Sequence, residues 1–279
     1  MLRKIKILIM FFLNYLDYII RIPFFYYNLY FNKSVVKQLK NPAEIPVIVV
    51  NYNQLFYFKK NIENLLLNGF KKIIILDNAS TYPALLEYYK KLMLIEEVEV
   101  VLLNENLGHR VLYKNKKAYD TYCKGFYFLT DADVILNKVM PEKFIEKMIT
   151  ILKKKHFFIT KVGSALDISD IPDEYPLKKN VLKWEDKFWQ NKISEDSCYL
   201  AEIDTTFALY KPCYYPYFFS NFSKAIRIAG NYIAKHGGWY VLPGDLEEER
   251  KYYLGNNIST SWVFDNNGKL LENNVNKTY

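Results

Sequence analysis

The chain has 279 residues, 51% of them hydrophobic and 24% charged, and carries a formal net charge of +8. A chain of this length and composition buries a large core, which excludes general disorder. Its three cysteines, Cys123, Cys198 and Cys213, form no C-x-x-C motif and no even-numbered framework, which is typical of a reducing compartment.

The positive charge is concentrated at the amino terminus. Residues 1–40 contain seven Lys or Arg residues and a single Asp, so they carry six of the eight net charges. A nucleic-acid-binding protein would carry its basic surface on the folded domain, so nucleic acid is not a predicted partner. The apolar run at 7–13 is interrupted by Asn14 and Asp17, which makes it too short for a membrane-spanning helix.

Two interpretations of this basic, aromatic segment, residues 1–40, remain open. It is either an in-plane amphipathic anchor on an anionic membrane surface or a helix packed on the domain. The first predicts a cytoplasmic protein peripheral to the inner face of the cell membrane. The remaining chain, 44–279, is predicted to be a single domain.

Four short apolar runs alternate with helical patterns over the next part of the chain. The runs at 46–50, 71–76, 98–103 and 126–131 are predicted strands, and helices are predicted at 55–66, at 83–92 and in a Lys-rich stretch to 118. This alternation predicts βαβ units and an α/β fold with a mostly parallel central sheet flanked by helices. Ligands of such sheets bind beyond the carboxyl ends of the strands.

Polar residues follow each of the four predicted strands. They are Asn51 and Tyr52, Asp77 and Asn78, the segment 106–110, and Asp131 with Asp133. If the chain stays extended, the two aspartates lie on one side, where they repel each other unless a cation or sugar hydroxyls separate them. Oxygen ligands suit Mg²⁺ or Mn²⁺. The alternative is an ordinary strand end with two solvated aspartates.

Other nucleotide-binding motifs are missing from the sequence. A G-x-G-x-x-G motif does not follow the first strand, which disfavours a dinucleotide-binding domain, and no P-loop motif occurs. Beyond 134, helices are predicted from Pro141, at 182–189 and at 246–254, and strands at 156–164 and 199–210.

From about 46 to 262 the chain resembles a family-2 glycosyltransferase of the GT-A fold, the nucleotide-diphospho-sugar transferase fold, and within it a bacterial surface-glycan subgroup. The motifs that carry this resemblance are Val49-Val50-Asn51-Tyr52-Asn53, Leu76-Asp77-Asn78-Ala79-Ser80, Asn106-Leu107-Gly108, Asp131-Ala132-Asp133, Asp204-Thr205-Thr206-Phe207-Ala208-Leu209-Tyr210, His236-Gly237-Gly238-Trp239-Tyr240 and Glu247-Glu248-Glu249-Arg250-Lys251-Tyr252-Tyr253. The usual Glu-Asp pair at the start of a late helix is not clearly present, which leaves the catalytic base unassigned.

The resemblance implies a UDP-sugar donor and a divalent ion, Mn²⁺ or Mg²⁺. It implies a nucleotide-binding half at 44–154 and an acceptor-binding half at 155–279. The residues that would bind the donor are Asn51, Tyr52, Asp77, Asn106, Arg110 and Asp131, and those that would hold the metal are Asp131, Asp133 and His236. Within these sets, Tyr52 would lie against the nucleobase, Asp77 would accept its imide N–H, and Arg110 would approach the phosphates. The alternatives are half-buried packing for Tyr52, an ordinary turn at Asp77-Asn78, an exposed Arg110 and a structural His236.

The implied reaction is an inverting transfer to a glycan or lipid-linked acceptor in the synthesis of surface polysaccharide or lipopolysaccharide. A carboxylate must take the proton of the acceptor hydroxyl. Asp204 is the first candidate, because an acidic residue in an apolar strand needs a partner or a function, and Glu248 and Glu185 follow. Asp204 could instead bond the hydroxyls of Thr205 and Thr206. The other functions left open are a sugar nucleotidyltransferase and a non-catalytic glycan- or membrane-binding module.

Overall fold

The computed structural model describes residues 12, 19–193, 197–216, 222–242, 244–245 and 247–256. The strands in these ranges are β1 (Val47–Asn51), β2 (Ile73–Asp77), β3 (Val98–Leu102), β4 (Tyr127–Asp131), β5 (Val134–Leu136), β6 (Lys161–Ser164), β7 (Cys198–Leu200), β8 (Ala208–Tyr210), β9 (Ala225–Ile228) and β10 (Ala234–His236). The α-helices are α1 (19–31), α2 (Lys33–Lys40), α3 (Phe56–Leu67), α4 (Pro83–Leu92), α5 (Val111–Lys114), α6 (Lys116–Tyr122), α7 (Phe144–Lys155), α8 (Lys178–Asp186) and α9 (Glu247–Asn256).

Eight of these strands form one central sheet in the order β3-β2-β1-β4-β8-β6-β9-β7. The half formed by β3, β2, β1 and β4 is entirely parallel. In the other half β8 runs antiparallel to β4 and β6, β9 is parallel to β6, and β7 is antiparallel to β9. The predicted α/β class, with a mostly parallel central sheet flanked by helices, is confirmed.

The parallel half forms because its strands bury both faces. Val47, Val49, Ile73 and Ile75 belong to the core on one face, and Ile48 on the same strand belongs to the core on the other. Helix α3 covers the first face with Phe58, Ile62 and Leu65, which recur at helical spacing. Asn68 is its C-cap, and Gly69 follows with φ of +80°, a conformation that glycine adopts without steric cost.

Two predicted strands of the second half are shorter than expected. The predicted strand at 199–210 is wrong as a continuous element, because residues 204–207 bend out between β7 and β8. There the amine of the buried Lys161 donates to the Asp204 carbonyl, in place of a backbone N–H of a neighbouring strand. The predicted strand at 156–164 begins only at Lys161, because residues 156–158 form a turn after α7, in which the Phe158 N–H donates to the Lys155 carbonyl.

Helices α1 and α2 pack on the domain. Phe25, Leu29 and Val35 are buried in the core that also contains β1 and α7. The Gln38 side chain bonds both the N–H and the carbonyl of Phe126, just before β4. The rest of the predicted amino-terminal segment, 1–11 and 13–18, lies outside the described residues. Over the residues that the structure describes, none of the helices has the length and apolar character needed to cross a membrane.

Candidate active site

The carboxyl ends of three neighbouring strands meet at one edge of the sheet. The register pairs Asn51 with Asp77, and it pairs Asp131 with Val50, one residue before Asn51. Asn51 and Asp77 therefore share one face of the sheet edge, and Asp131 lies one residue earlier on the other face. Beyond Asp131 the chain turns at Ala132 and Asp133 into β5. The amide of Asn61, on α3, donates to the carbonyls of Asp131 (3.0 Å) and Ala132 (3.2 Å) and holds this turn in place.

The second sheet, a two-stranded ribbon, brings His236 to Asp133. Strand β10 runs antiparallel to β5 and pairs His236 with Val134, and the Gly237 N–H donates to the Asp133 carbonyl at 2.7 Å. The His236 Nδ1 atom lies 3.4 Å from Asp133 Oδ2. It is buried and makes no hydrogen bond within the described residues, and the imidazole stacks on Trp239.

This pair fits two ligands of one divalent ion. Two ligand atoms about 2.1 Å from an octahedral ion are roughly 3 Å apart along one edge, close to the observed separation of Asp133 Oδ2 and His236 Nδ1. A buried imidazole nitrogen without a hydrogen bond would gain a partner from such an ion. Mn²⁺ accepts both imidazole and carboxylate ligands.

A third protein ligand is not assembled in the part of the chain that the structure describes, since no three His, Cys, Asp or Glu side chains there are grouped to hold an ion. Asp131 Oδ2 instead accepts a hydrogen bond from the Thr205 hydroxyl at 2.7 Å. Burial and the neighbouring charge of Asp133 raise the pKa of Asp131 well above its ordinary value. Mg²⁺ and Mn²⁺ sites of this kind are completed by substrate phosphates and water.

A buried lysine lies beside this carboxylate cluster. Lys161 Nζ donates to the carbonyl of Asp204 at 2.6 Å and to the hydroxyl of Tyr210 at 2.9 Å. Burial lowers the pKa of Lys161 to about 7, while the charges of Asp204 and Asp131 oppose that shift. The lysine therefore fixes the backbone of the segment that carries Asp204 and Thr205, next to Asp131.

The Asp77 carboxylate is buried in a hydrogen-bond network. It accepts from the Tyr89 hydroxyl at 2.6 Å and from the Ser80 N–H at 2.8 Å. The Asn51 amide donates to the same Tyr89 hydroxyl and to the Gln54 carbonyl, and its Oδ1 atom is buried without a hydrogen-bond partner in the described residues. Asp77 thus holds the loop after β2 together, and its predicted role toward a nucleobase stays a prediction.

The other predicted donor-binding residues lie along the same edge. Asn78 donates to Asn106 Oδ1 at 2.7 Å and accepts from the Leu107 N–H, which ties the loop after β3 to the loop after β2. The guanidinium of Arg110 lies over the Phe222 ring. Their binding roles, too, remain predictions.

Helix α9 closes one side of this edge. Tyr253 lies near Tyr52, with ring centroids 6.4 Å apart, and the Tyr252 hydroxyl donates to the Thr81 carbonyl at 2.8 Å. The Glu249 carboxylate accepts the N–H groups of Leu55 and Phe56, each at 3.0 Å, and so caps the start of α3.

The three candidate bases are in different environments. Asp204 is half-buried beside the Asp131–Thr205 pair, whereas Glu248 is exposed on α9. Glu185 is buried and forms an ion pair with Arg227 at 2.7 Å. Burial raises the pKa of Glu185, and the guanidinium of Arg227 opposes that rise.

The structure therefore brings together Asp131, Asp133, His236 and Asp204, and places Glu185 in a buried pair. Sequence reasoning assigned no role to several residues that shape the site: Asn61, Tyr89, Lys161, Thr205 and Glu249. A threonine next to an acidic residue, within a motif already singled out, is the one signal that could have found Thr205.

No family model matches the chain, and no curated protein matches it. Solved structures with some likeness include Staphylococcus aureus TarS, residues 1–349, at 16% identity and a TM-score of 0.39, covering 61% of this chain and 47% of TarS 1–349. A mannosyltransferase from Pyrobaculum calidifontis, in complex with GDP-Man and Mn²⁺, has 14% identity and a TM-score of 0.44, covering 75% and 60%. GalNAc-T7 with UDP, GalNAc and Mn²⁺ has 14% identity and a TM-score of 0.43, covering 69% and 43%.

The match covers about half the length of each of these three solved structures. Identities and scores of this size leave the function to be argued from the residues of the chain itself.

Proposed function

We propose that this protein is a metal-dependent, inverting glycosyltransferase of the GT-A fold and of family 2. It would transfer a hexose from a UDP-sugar to a glycan or lipid-linked acceptor in bacterial surface-polysaccharide or lipopolysaccharide synthesis. The observation that carries the proposal is the pair formed by Asp133 and His236, 3.4 Å apart beyond the carboxyl end of β4. It stands at the edge where an open α/β sheet binds its ligands.

The metal would be Mn²⁺ or Mg²⁺, held by Asp133 and His236, with Asp131 beside them. When bound, such an ion neutralises the charge that develops on a departing diphosphate. The bond from Thr205 keeps this second carboxyl fixed, and it would hydrogen-bond the ribose of the donor or share the metal.

Donor binding would fall to the loops after β1, β2 and β3. Tyr52 offers a half-buried ring next to Tyr253, which suits stacking on a nucleobase. Asn51 has a buried carbonyl oxygen without a hydrogen bond in the described residues, and Asp77 lies in the same network. Asn106 and Arg110 would contribute to the phosphate and ribose side.

Asp204 remains the first candidate for the base that takes the proton of the acceptor hydroxyl. Its backbone is fixed by Lys161, and its neighbour Thr205 bonds Asp131, so the group lies beside the proposed metal site. Glu248 is the second candidate. Glu185 is the third, because its ion pair with Arg227 already engages one carboxylate oxygen.

Hydrolysis of a panel of UDP-sugars with and without Mn²⁺ tests the proposal. We expect Mn²⁺-dependent release of UDP from at least one donor, and loss of that release in Asp133→Asn with the fold intact. Asp120→Asn is the matched control, since Asp120 is an exposed aspartate on α6. An active, metal-responsive Asp133→Asn variant would refute the site, and consumption of nucleoside triphosphates instead would favour a nucleotidyltransferase.

An acceptor on a lipid carrier also fits a cytoplasmic location on the inner face of the cell membrane.

A further inference from the structure

Helix α1 carries an apolar, aromatic stripe whose side chains are exposed. Ile20, Phe24, Tyr27 and Phe31 follow one another at spacings of four, three and four residues, which places them on one face of the helix. They are between 48% and 71% exposed. The opposite face carries the buried Phe25, Asn28 and Leu29.

The end of α7 brings a second aromatic and basic element beside α1. The His156 ring stacks on Phe25, with centroids 4.6 Å apart, which fixes the end of α7 beside α1. Phe158, two residues on, is exposed, and so are Lys153 and Lys154.

The two segments that form the stripe and its extension carry basic but no acidic residues. Residues 19–41 contain Arg21, Lys33, Lys37 and Lys40 without any Asp or Glu, and residues 153–162 are likewise free of acidic residues. The three lysines of α2 are exposed. Aromatic side chains beside lysines match the interface of an anionic bilayer, where rings lie among the headgroups and lysines attract the lipid charge.

We propose that the exposed face of α1, together with Lys153, Lys154 and Phe158, is a docking surface for an anionic lipid bilayer. This α1 surface consists of Ile20, Phe24, Tyr27, Phe31, Lys153, Lys154 and Phe158.

The α1 surface lies at the end of the sheet opposite the candidate active site. Phe25 and Leu29 belong to the core on one face of the sheet. The Arg21 guanidinium contacts the other face: it donates to the Tyr215 carbonyl and lies over the ring of Tyr214, which belongs to the core there. Helix α1 therefore crosses the sheet beneath the amino end of β4, where α2 also binds Phe126.

This placement sets how far the active edge stands from the membrane. Strand β4 contributes about 13 Å between Tyr127 and Asp131, and a helix about 10 Å across separates the strand from the bilayer. The active edge is therefore about 23 Å from the membrane surface. Resting on the proposed function, the acceptor is then the outer end of an extended glycan rather than a sugar attached directly to the lipid.

Cosedimentation with vesicles tests the surface in the full chain. We expect binding to phosphatidylcholine vesicles that contain one third phosphatidylserine, and at least tenfold weaker binding by Phe24→Ser/Tyr27→Ser/Phe31→Ser. Lys153→Glu and Lys154→Glu should each weaken binding about fivefold or more. The control Leu102→Ser/Val139→Ser changes exposed apolar residues elsewhere and should bind as the unaltered protein does.

Quenching by brominated lipids tests the orientation. The chain has four tryptophans of its own, so each variant is compared with the unaltered protein. Phe31→Trp should add quenching on vesicles, and Leu102→Trp, at the carboxyl end of β3, should not. Equal quenching at both positions would overturn the orientation. The docking surface itself would be overturned if the unaltered protein did not bind the vesicles, or if the triple serine variant bound them equally well. Donor hydrolysis in the absence of vesicles is a separate readout: if it is absent while quenching follows the expectation, the proposed reaction fails and the docking surface stands.

Discussion

The buried Lys161 makes the stability of the protein depend on pH in a direction that can be worked out. Its amine is fully buried, and its hydrogen bonds within the described residues go to two neutral oxygens, the backbone carbonyl of Asp204 and the hydroxyl of Tyr210. Burial lowers its pKa to about 7, whereas a lysine in an unfolded chain titrates near 10.4. Between these two values the unfolded state binds more protons than the folded state, so the free energy of unfolding rises with pH.

The size of the effect follows from the two pKa values. From pH 7 to pH 9 the lysine should contribute about 2 kcal/mol of added stability. Other groups also titrate in this range, the unfolded tyrosines and cysteines above all, so the prediction concerns the difference between two proteins. Lys161→Met removes the amine and keeps an unbranched side chain, and the Tyr210 hydroxyl, 3.3 Å from the Asp204 carbonyl, can still donate to it.

Urea unfolding at pH 7, 8 and 9 provides the measurement. The unaltered protein should gain about 2 kcal/mol relative to Lys161→Met over this range. Parallel pH profiles for the two proteins would mean that Lys161 is not desolvated as the structure indicates, and the reasoning would be refuted.

Two further predictions concern contacts between distant parts of the chain. Arg227→Met leaves the Glu185 carboxylate buried without its partner. It should therefore lower the free energy of unfolding, measured by urea titration, by about 3–5 kcal/mol. The double variant Arg227→Met/Glu185→Leu should regain most of that loss. Glu249→Ala removes the acceptor of the Leu55 and Phe56 N–H groups, so it should lower the free energy of unfolding by about 1–2 kcal/mol in the same assay. The control Glu248→Ala, which changes the exposed neighbour, should shift it by no more than about 0.5 kcal/mol. Equal losses in the two variants would contradict the cap.

The parallel half of the fold could be predicted because its signals are local. Each of β1, β2 and β4 is a run of apolar residues, and each is followed by a polar residue at the sheet edge. Asp131 and Asp133 stood out for the same reason. The break at 204–207 could not be predicted, because the group that binds the Asp204 carbonyl is Lys161, 43 residues earlier.

The environment of the candidate site depends on contacts between residues far apart in the chain, which no local sequence pattern predicts. Glu185 resembled a base on a helix, and its ion pair depends on where β9 places Arg227. Glu249 caps a helix that begins 193 positions earlier, and Tyr89 reaches Asp77 from the next helix. Such pairs form only when the chain is folded, so neither spacing nor composition indicates them.

The central claim is that Asp133 and His236 hold a divalent ion against a nucleotide diphosphate, and thermal unfolding with UDP tests it most directly. With Mn²⁺ present and UDP at a hundred times its dissociation constant, the unaltered protein should gain about 2.7 kcal/mol, and the gain should vanish with chelator. Asp133→Asn and His236→Ala should each lose this Mn²⁺-dependent gain while their stability without ligand stays close to that of the unaltered protein. Stabilisation by UDP that is the same with and without metal, or that persists in both variants, would contradict the account.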